Sequence, residues 1–525
     1  MIELQKLTLR PGESEKKLRK LTEKALRLQP EEILTFEIAK KSLDARKKRD
    51  IHYVYAVHLT VAGDEVEIAA RNRNASVQQP YAYEIPKAAL PERPVIVGFG
   101  PAGMFAALVL TYAGARPIVL ERGGDVDSRQ KAVDLLRSGG PLDPENNVQF
   151  GEGGAGTFSD GKLNTNTHDF RNRWVLDEFA RHGAPAQIRY DAKPHIGTDI
   201  LVRVVRQIRE TVIAGGGEVR FGAKLTGLRQ ENGAVTGVEV NGAEVIPTRD
   251  VILAIGHSAR DTFEWLRGAG ISMVRKPFSM GVRIEHRQAD LDMAQYGRPR
   301  GKDLPPVSYN LSCHLPDGTS AYTFCMCPGG YVFAAASETG GVCTNGMSYS
   351  GRSGENANAA LLVTLHPEDF PGEDVLGGMY WQREIEQAAY RYAGQTYRAV
   401  SQTVGDFLNH CPSTGPGRVK PTYAPGVVYG DLREILPACI TDVMENALPA
   451  LGKKLPGFDS PEAVMTGPET RSSSPVRIVR DENRQSETLR GLYPCGEGAG
   501  YAGGITSAAV DGMRCAEAVI SRYQS

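Results

Sequence analysis

The chain has 525 residues, 41% apolar and 23% charged, with a net charge of −1 at neutral pH and eight cysteines. That length exceeds one hydrophobic core, so two or three domains are expected, and the balanced charge argues against nucleic-acid binding by the whole molecule. No apolar run reaches the roughly 20 residues of a membrane span, no signal or transit segment is recognisable, and the cysteines do not form a disulfide framework; a cytoplasmic protein with reduced thiols is expected.

Residues 1–90 read as a small α+β module. A strand is expected at 2–9, then a helix with Leu18, Leu21, Ala25 and Leu28 on one face, then strands at 33–39 and 51–61. In the last of these, Tyr53, Tyr55, Val57, Leu59 and Val61 share a face. Residues 40–49 form a basic connection, read as a solvated turn or as a contact for RNA or another anionic partner. A proline-bearing linker follows at 79–94.

At 94–97 an apolar strand feeds Gly98-Phe-Gly100-Pro-Ala-Gly103, and an apolar helix runs from 104 to Gly114. Strand, G-x-G-x-x-G and helix form the dinucleotide fingerprint, whose phosphates sit on the helix N-terminus. A second strand, 117–120, ends at Glu121, placed to accept from ribose hydroxyls; its charge would repel a 2′-phosphate. The glycine-dense stretch 146–162 gives freedom for close backbone approach. Beyond it come a helix at 199–214, a strand at 218–221, a hairpin around 231–233 and an apolar strand at 251–255.

Residues 275–410 read as an inserted α+β substrate domain, with strands at 279–285 and 330–335 and a helix at 384–407. The expected nucleotide domain is thus discontinuous, 94–274 and 411–525, with a core-packing helix at 431–451. Near the C-terminus a strand at 491–495 leads through Gly496 and Glu497 to Gly503-Gly504-Ile505 and a final helix. A second helix N-terminus returning to the first suits a long cofactor with a redox ring beyond its pyrophosphate.

The segments 95–103, 120–123, 254–257 and 495–505 resemble the FAD signatures of the glutathione-reductase-type flavoprotein superfamily. Segments 41–47, 150–162, 325–330, 344–348 and 467–471 resemble, more narrowly, the bacterial "FAD-dependent dehydrogenase" family, distantly similar to geranylgeranyl reductases and aminoacetone-oxidase-like flavoproteins. The resemblance implies an α/β fold: a Rossmann-like FAD-binding domain, the inserted substrate domain and the N-terminal module. By it, Gly98, Gly100, Pro101, Ala102 and Gly103 hold the pyrophosphate, Glu121 and Arg122 lie at the adenosine ribose, Arg129 near the phosphates and the Leu225 backbone near adenine. Gly154, Ala155, Gly156 and Lys162 lie along the flavin, with Ala254, Gly256, Gly496, Glu497, Gly503, Gly504 and Ile505 completing the site. No second fingerprint is present, so NADH or NADPH would bind only transiently, or electrons come from a substrate or a protein donor.

Three residues are candidates for catalysis. Cys325-Met-Cys327 suggests dithiol exchange, or two thiols packed inward from alternate strand positions. Lys162 could stabilise charge at the flavin N1/O2 edge, anchor an anionic substrate or contact a phosphate. His257, His286 and His314 are acid/base candidates or structural groups, and Glu469 and Arg471 either hold a substrate carboxylate or pair with each other. No histidine or cysteine spacing marks a metal site. The expected reaction is hydride transfer between flavin N5 and a small organic substrate. A flavin monooxygenase, or a flavin-bearing regulatory protein whose N-terminal module recruits RNA or protein, are the alternatives. Oligomeric state stays open.

Overall fold

In the computed structural model, which describes residues 1–165 and 167–524, the strand Val95–Val97 lies at the centre of a parallel sheet. Strand order across that sheet is Leu492–Pro494, Val251–Leu253, Val95–Val97, Ile118–Leu120, Glu218–Arg220. The first four of these strands are buried on both faces, which explains their unbroken apolar sequence. One face carries the helices Pro101–Ala113, Arg171–Arg181, Thr198–Ala214 and Ile505–Ser521; the other carries a three-stranded meander, 225–247, and the helix Arg260–Gly268. The chain builds outward from the central strand, then returns to its other side, so a topological switch point lies between Val95–Val97 and Val251–Leu253.

The N-terminal module is a four-stranded antiparallel sheet in a split β-α-β arrangement, ordered Ile33–Asp44, His52–Val61, Ile2–Leu9, Ala75–Val77. Here the expected basic connection is corrected. Lys40, Lys41 and Ser42 pair with Ala56, Tyr55 and Val54, so the strand runs to Asp44 and only 45–51 turn. Cross-strand pairing overrides local charge: Lys41 Nζ is neutralised by Glu15 at 2.7 Å and lies over the Tyr53 ring. The turn rests on the inserted domain, where Gln295 donates to the Ala45 carbonyl. The linker has no regular structure, but Tyr83, Ile85, Ala88 and Leu90 pack on the core of the parallel-sheet domain.

The inserted domain centres on a seven-stranded sheet. Its order is Ser312–His314, Ser320–Cys327, Asn356–Leu365, Phe278–Arg287, Val464–Glu469, Ala399–Thr403, Val427–Tyr429. Two expectations change here. The helix read over 384–407 is a helix Gly377–Tyr392, a strand Ala399–Thr403 and a short helix Val404–Leu408. The domain boundary also moves: strands at 427–429 and 464–469 close this sheet, so the insertion ends near 472 rather than at 410. Val476–Ile478, pairing with Met273–Arg275, marks where the chain re-enters the parallel-sheet domain. The helix expected at 431–451 starts at Ala438, after Pro437, and packs on the new sheet. No helix among the described residues is long and apolar enough to cross a membrane.

Candidate functional site

The fingerprint glycines divide into two kinds. Gly98 has φ +96°, and a Cβ there would overlap the Ala254 carbonyl; a Cβ on Gly103 would overlap the Gly98 carbonyl. Packing of chain on chain demands both. Gly100 is different, because a Cβ there would meet only the Gly154 Cα, at an ordinary 3.6 Å. It stands at the start of the helix Pro101–Ala113, which no side chain caps. The helix Ile505–Ser521 starts alike, uncapped after Gly504, and Cβ atoms on Gly503 or Gly504 would meet nothing.

These two helix starts are neighbours. A Cβ on Gly512 would overlap the Ala102 carbonyl, and one on Gly496 would lie 2.8 Å from Ala102 Cβ. Gly156 lies between the starts: its Cβ would be 3.4 Å from Pro101 Cγ and 3.3 Å from Ile505 Cγ1, with Ala155 exposed beside it. Two positive dipole ends and their orphan N–H groups therefore face one recess, a ready site for anionic groups.

Glu121 lies beside this recess, buried. Its carboxylate accepts from the N–H groups of Phe99, Gly123 and Gly151, each at 2.9 Å, leaving room for one further donor. Gly222 and Ala223 donate to the carbonyls of Gly123 and Glu121, which brings the strand start at Leu225 alongside. Arg122 is spent on Glu145 and Asp261 and stacks on Phe150. Arg129, expected near phosphates, is fully buried and donates to the carbonyls of Asn147, Val148, Gly151 and Glu152. Burial pulls it down to about 10, so it stays charged and pins the loop from beneath.

At the next strand end, Gly256 backs on Gly498, whose Cβ would lie 2.8 Å from the Gly256 nitrogen. Glu497 is 3.4 Å from His257 Nδ1. His257 Nε2, Ser258 Oγ and Arg260 Nε are buried without partners. Unpaired polar atoms cluster at the carboxyl edge of the sheet, where ligands bind in folds of this kind.

The three candidate catalytic residues meet, although two domains supply them. Lys162 Nζ lies 3.1 Å from Asp160 and 3.7 Å from Cys327 Sγ. Burial opposes charge on Lys162, but Cys327, Cys325 and Asp160 outweigh it and hold the ammonium above its ordinary range. Burial likewise pushes Asp160 up, yet Lys162 and Arg352 bring it down to about 2. The pairing of Ser320–Cys327 with Asn356–Leu365 shifts register between Phe324 and Cys327, and Cys325 takes φ +42° in that bulge. Behind it Arg283, fully buried, donates to the Cys325 carbonyl at 2.9 Å and to both oxygens of Glu469. The hydrogen bond from Cys327, helped by Lys162 and Arg283, holds the Cys325 thiol well below the usual range; burial pushes Cys327 well above it.

Other expectations resolve differently. Glu469 and Arg471 do not pair with each other: Glu469 pairs with Arg283, and Arg471 with Glu386. His286 is buried against the Phe458 carbonyl, a structural role, and His314 is exposed on an outer strand. A buried cluster of Cys495, Asp511 and Cys515 has metal-like spacing, but the Arg480 guanidinium already fills it, bonding Asp511 and Cys515. Asp160, two residues before Lys162 in the glycine-rich loop, was open to a sequence reading. Arg283 and Arg352 were not, because nothing local distinguishes them. A cavity of about 220 Å³ adjoins the same loop, lined by Phe158, Val202, Phe333, Met347 and Tyr349 among others.

Residues 277–472 match the family described as "FAD-dependent protein, C-terminal domain-like", and 1–60 match a domain of unknown function. An uncharacterized protein of Clostridium beijerinckii (strain ATCC 51743 / NCIMB 8052) is 44% identical over 506 residues, 95% of each chain. Among solved structures, similarity extends to a glycine oxidase from Bacillus cereus ATCC 14579 (12% identity, 82% of this chain and 96% of that one, TM-score 0.31). It extends also to the flavin-dependent brominase Bmp2 (13%, 82% and 79%, TM-score 0.37).

Proposed function

Because this chain belongs to one family with the Clostridium beijerinckii protein and carries an FAD-dependent-protein C-terminal domain, we propose that it is an FAD-dependent oxidoreductase transferring hydride between flavin N5 and a small organic substrate. The observation that carries this reading is the pair of uncapped helix starts, with unobstructed Gly100, Gly503 and Gly504, meeting beside the buried carboxylate of Glu121. Neither packing nor backbone conformation requires glycine at Gly100 and Gly503, whereas a diphosphate and a ring system lying close to backbone would; Gly504, at φ +142°, is glycine for its conformation as well. The residues therefore fit FAD.

When bound, FAD supplies two-electron transfer at N5. Gly98, Gly100 and Gly103, with Pro101 and Ala102, would take the pyrophosphate on backbone N–H groups, and the remaining acceptor direction of Glu121 a ribose hydroxyl. Arg129 would act through the loop 147–152, holding Gly151 and Gly154 in place rather than touching phosphate. The start of Ile505–Ser521 would direct a positive dipole end at the negative charge that develops on reduction, and Lys162 would add a fixed ammonium. Asp160, paired also with Arg352 of the inserted domain, holds the Lys162 ammonium at 3.1 Å.

The test is flavin content and anaerobic reduction. Purified protein should carry extractable FAD. Bleaching of the flavin band by NADH or NADPH would make it a nicotinamide-fed reductase. No bleaching would assign electron supply to the substrate or a protein donor. Oxygen incorporated into product would favour a monooxygenase. Protein that holds no flavin and cannot be reconstituted would overturn the reading.

A further inference from the structure

We propose that Cys325 and Cys327 form a two-electron dithiol–disulfide couple, with Cys325 the attacking thiol and a disulfide-bearing small molecule or peptide as its substrate. Three features of the fold support it. The first is reach. Residues two apart in a regular strand have Cα atoms about 6.7 Å apart, the outer limit for a disulfide. The bulge between Phe324 and Cys327 breaks that extension, and Cys327 Sγ already contacts the Cys325 carbonyl at 3.2 Å. The bulge thus brings the two residues nearer than a regular strand would.

The second is backbone. Cys325 takes a left-handed conformation in which glycine would be comfortable and a residue with a Cβ is strained. Strain of this kind gathers where a side chain must be aimed. The third is charge. Lys162 stands 3.7 Å from Cys327 Sγ, and Arg283, already committed to Glu469, is anchored at the Cys325 carbonyl. Two cations next to a thiol pair favour thiolate, and thiolate is the nucleophile. Cys325 is partly exposed and Cys327 is buried, which assigns attack to the first and resolution to the second. Cys495 and Cys515 also lie together beside Arg480, but both are buried, Asp511 shares that guanidinium and burial pushes Cys495 well up; Cys439, the exposed one, is pushed up by burial and nearby aspartates.

The steps balance. Cys325 thiolate attacks one sulfur of a substrate disulfide, forming a mixed disulfide and expelling one thiolate, which takes a proton from Lys162. Cys327 returns its proton to Lys162 and attacks Cys325 Sγ, forming the Cys325–Cys327 disulfide and expelling the second thiolate, which takes its proton from solvent. One substrate disulfide becomes two thiols, and two protein thiols become one disulfide. Regenerating the dithiol takes two electrons and two protons, from the reduced flavin of the reading above; only this last step rests on that reading.

The test uses the full-length protein as purified. It is equilibrated in glutathione buffers of graded potential, quenched by alkylation and read by peptide mass spectrometry, with flavin content measured on the same sample. The expected result is one two-electron transition in which the 325–327 peptide loses two hydrogens while Cys439 stays reduced. A pair that stays reduced throughout, or forms only mixed disulfides with glutathione, overturns the couple even in flavin-loaded protein. A normal transition in protein that takes up no flavin would sink the flavin reading alone. In reduced protein at neutral pH, Cys325 should alkylate about tenfold faster than Cys439, and Lys162→Met should remove that advantage. Equal rates in the wild type, or no effect of Lys162→Met, would refute the thiolate assignment.

Discussion

Arg283 and Glu469 form a bidentate ion pair at the centre of the inserted sheet, with nitrogen–oxygen distances of 2.6 and 3.0 Å and both side chains almost wholly buried. Neither charge has water to fall back on. Asn345, Asn358 and the Cys325 carbonyl accept the remaining three guanidinium protons, so the group is fully employed. Burial pushes Glu469 up to about 7 even with Arg283 beside it, so removing the guanidinium leaves a buried carboxyl that must take up a proton and has lost its partner. Arg283→Met is therefore expected to cost about 3–5 kcal/mol, read as a lowered denaturant midpoint. The double variant Arg283→Met with Glu469→Leu should recover most of that loss, because the stranded carboxyl is gone.

The two kinds of fingerprint glycine give a sharper contrast. Gly103→Ala drives a methyl into the Gly98 carbonyl and should destabilise the protein whether or not flavin is bound. Gly100→Ala meets only ordinary contact, so the flavin-free protein should lose no more than about 1 kcal/mol. Its FAD affinity should fall by tenfold or more, because the methyl points into the open ground at the helix start. Equal losses of stability, or unchanged flavin retention in Gly100→Ala, would count against a cofactor there.

The sequence was most legible where backbone geometry itself imposes residue type. Gly98, Gly103 and Gly114 each occupy a position that a side chain would block or strain, so the first β-α-β unit could be read directly. Reading failed where distant pairing decides. Ala399–Thr403 lies in the middle of an apparent helix, yet Val400 to Thr403 pair with Gly467 to Val464 across more than sixty residues. The same return strands moved the domain boundary. Lys162 and Cys327 were each visible as candidates, but their meeting depends on two domains docking, and the Cys325 bulge carries no local signal.

His286 sets a pH dependence with a definite sign. Its Nε2 bonds the Phe458 carbonyl at 2.7 Å, its Nδ1 has no partner, and burial pulls it down to about 4; Asp290 and Asp459 oppose that only partly. The folded state thus holds this ring neutral where the unfolded chain, at the ordinary 6.5, takes up a proton. Stability should be full above pH 6.5 and fall as pH drops toward 4, by up to about 3 kcal/mol from this group. His286→Gln keeps a donor for Phe458 and should flatten that slope. A slope unchanged in the variant would assign the acid sensitivity elsewhere.

Glu386 governs a lower window and the joint between domains. It lies on the helix Gly377–Tyr392 and accepts at 2.9 Å from both terminal nitrogens of Arg260, which belongs to the parallel-sheet domain. Arg471, where the insertion ends, donates to it at 2.9 and 2.7 Å. Burial works to raise Glu386, but Arg260 and Arg471 hold it far below the usual carboxylate range. A depressed carboxylate contributes stability above the unfolded value of 4.5 and loses it as pH falls through the folded one, so this network should weaken only in strong acid. Glu386→Gln leaves two buried guanidiniums facing a neutral amide, with Glu338 the remaining carboxylate for both. The cost should be about 3–5 kcal/mol, concentrated at the joint. Calorimetry should then resolve two unfolding transitions, because the inserted sheet and the parallel sheet each retain a core of their own. A single transition, merely shifted, would mean that Arg352 on Asp160 and Ser350 on Asp199, and not this network, couple the two domains.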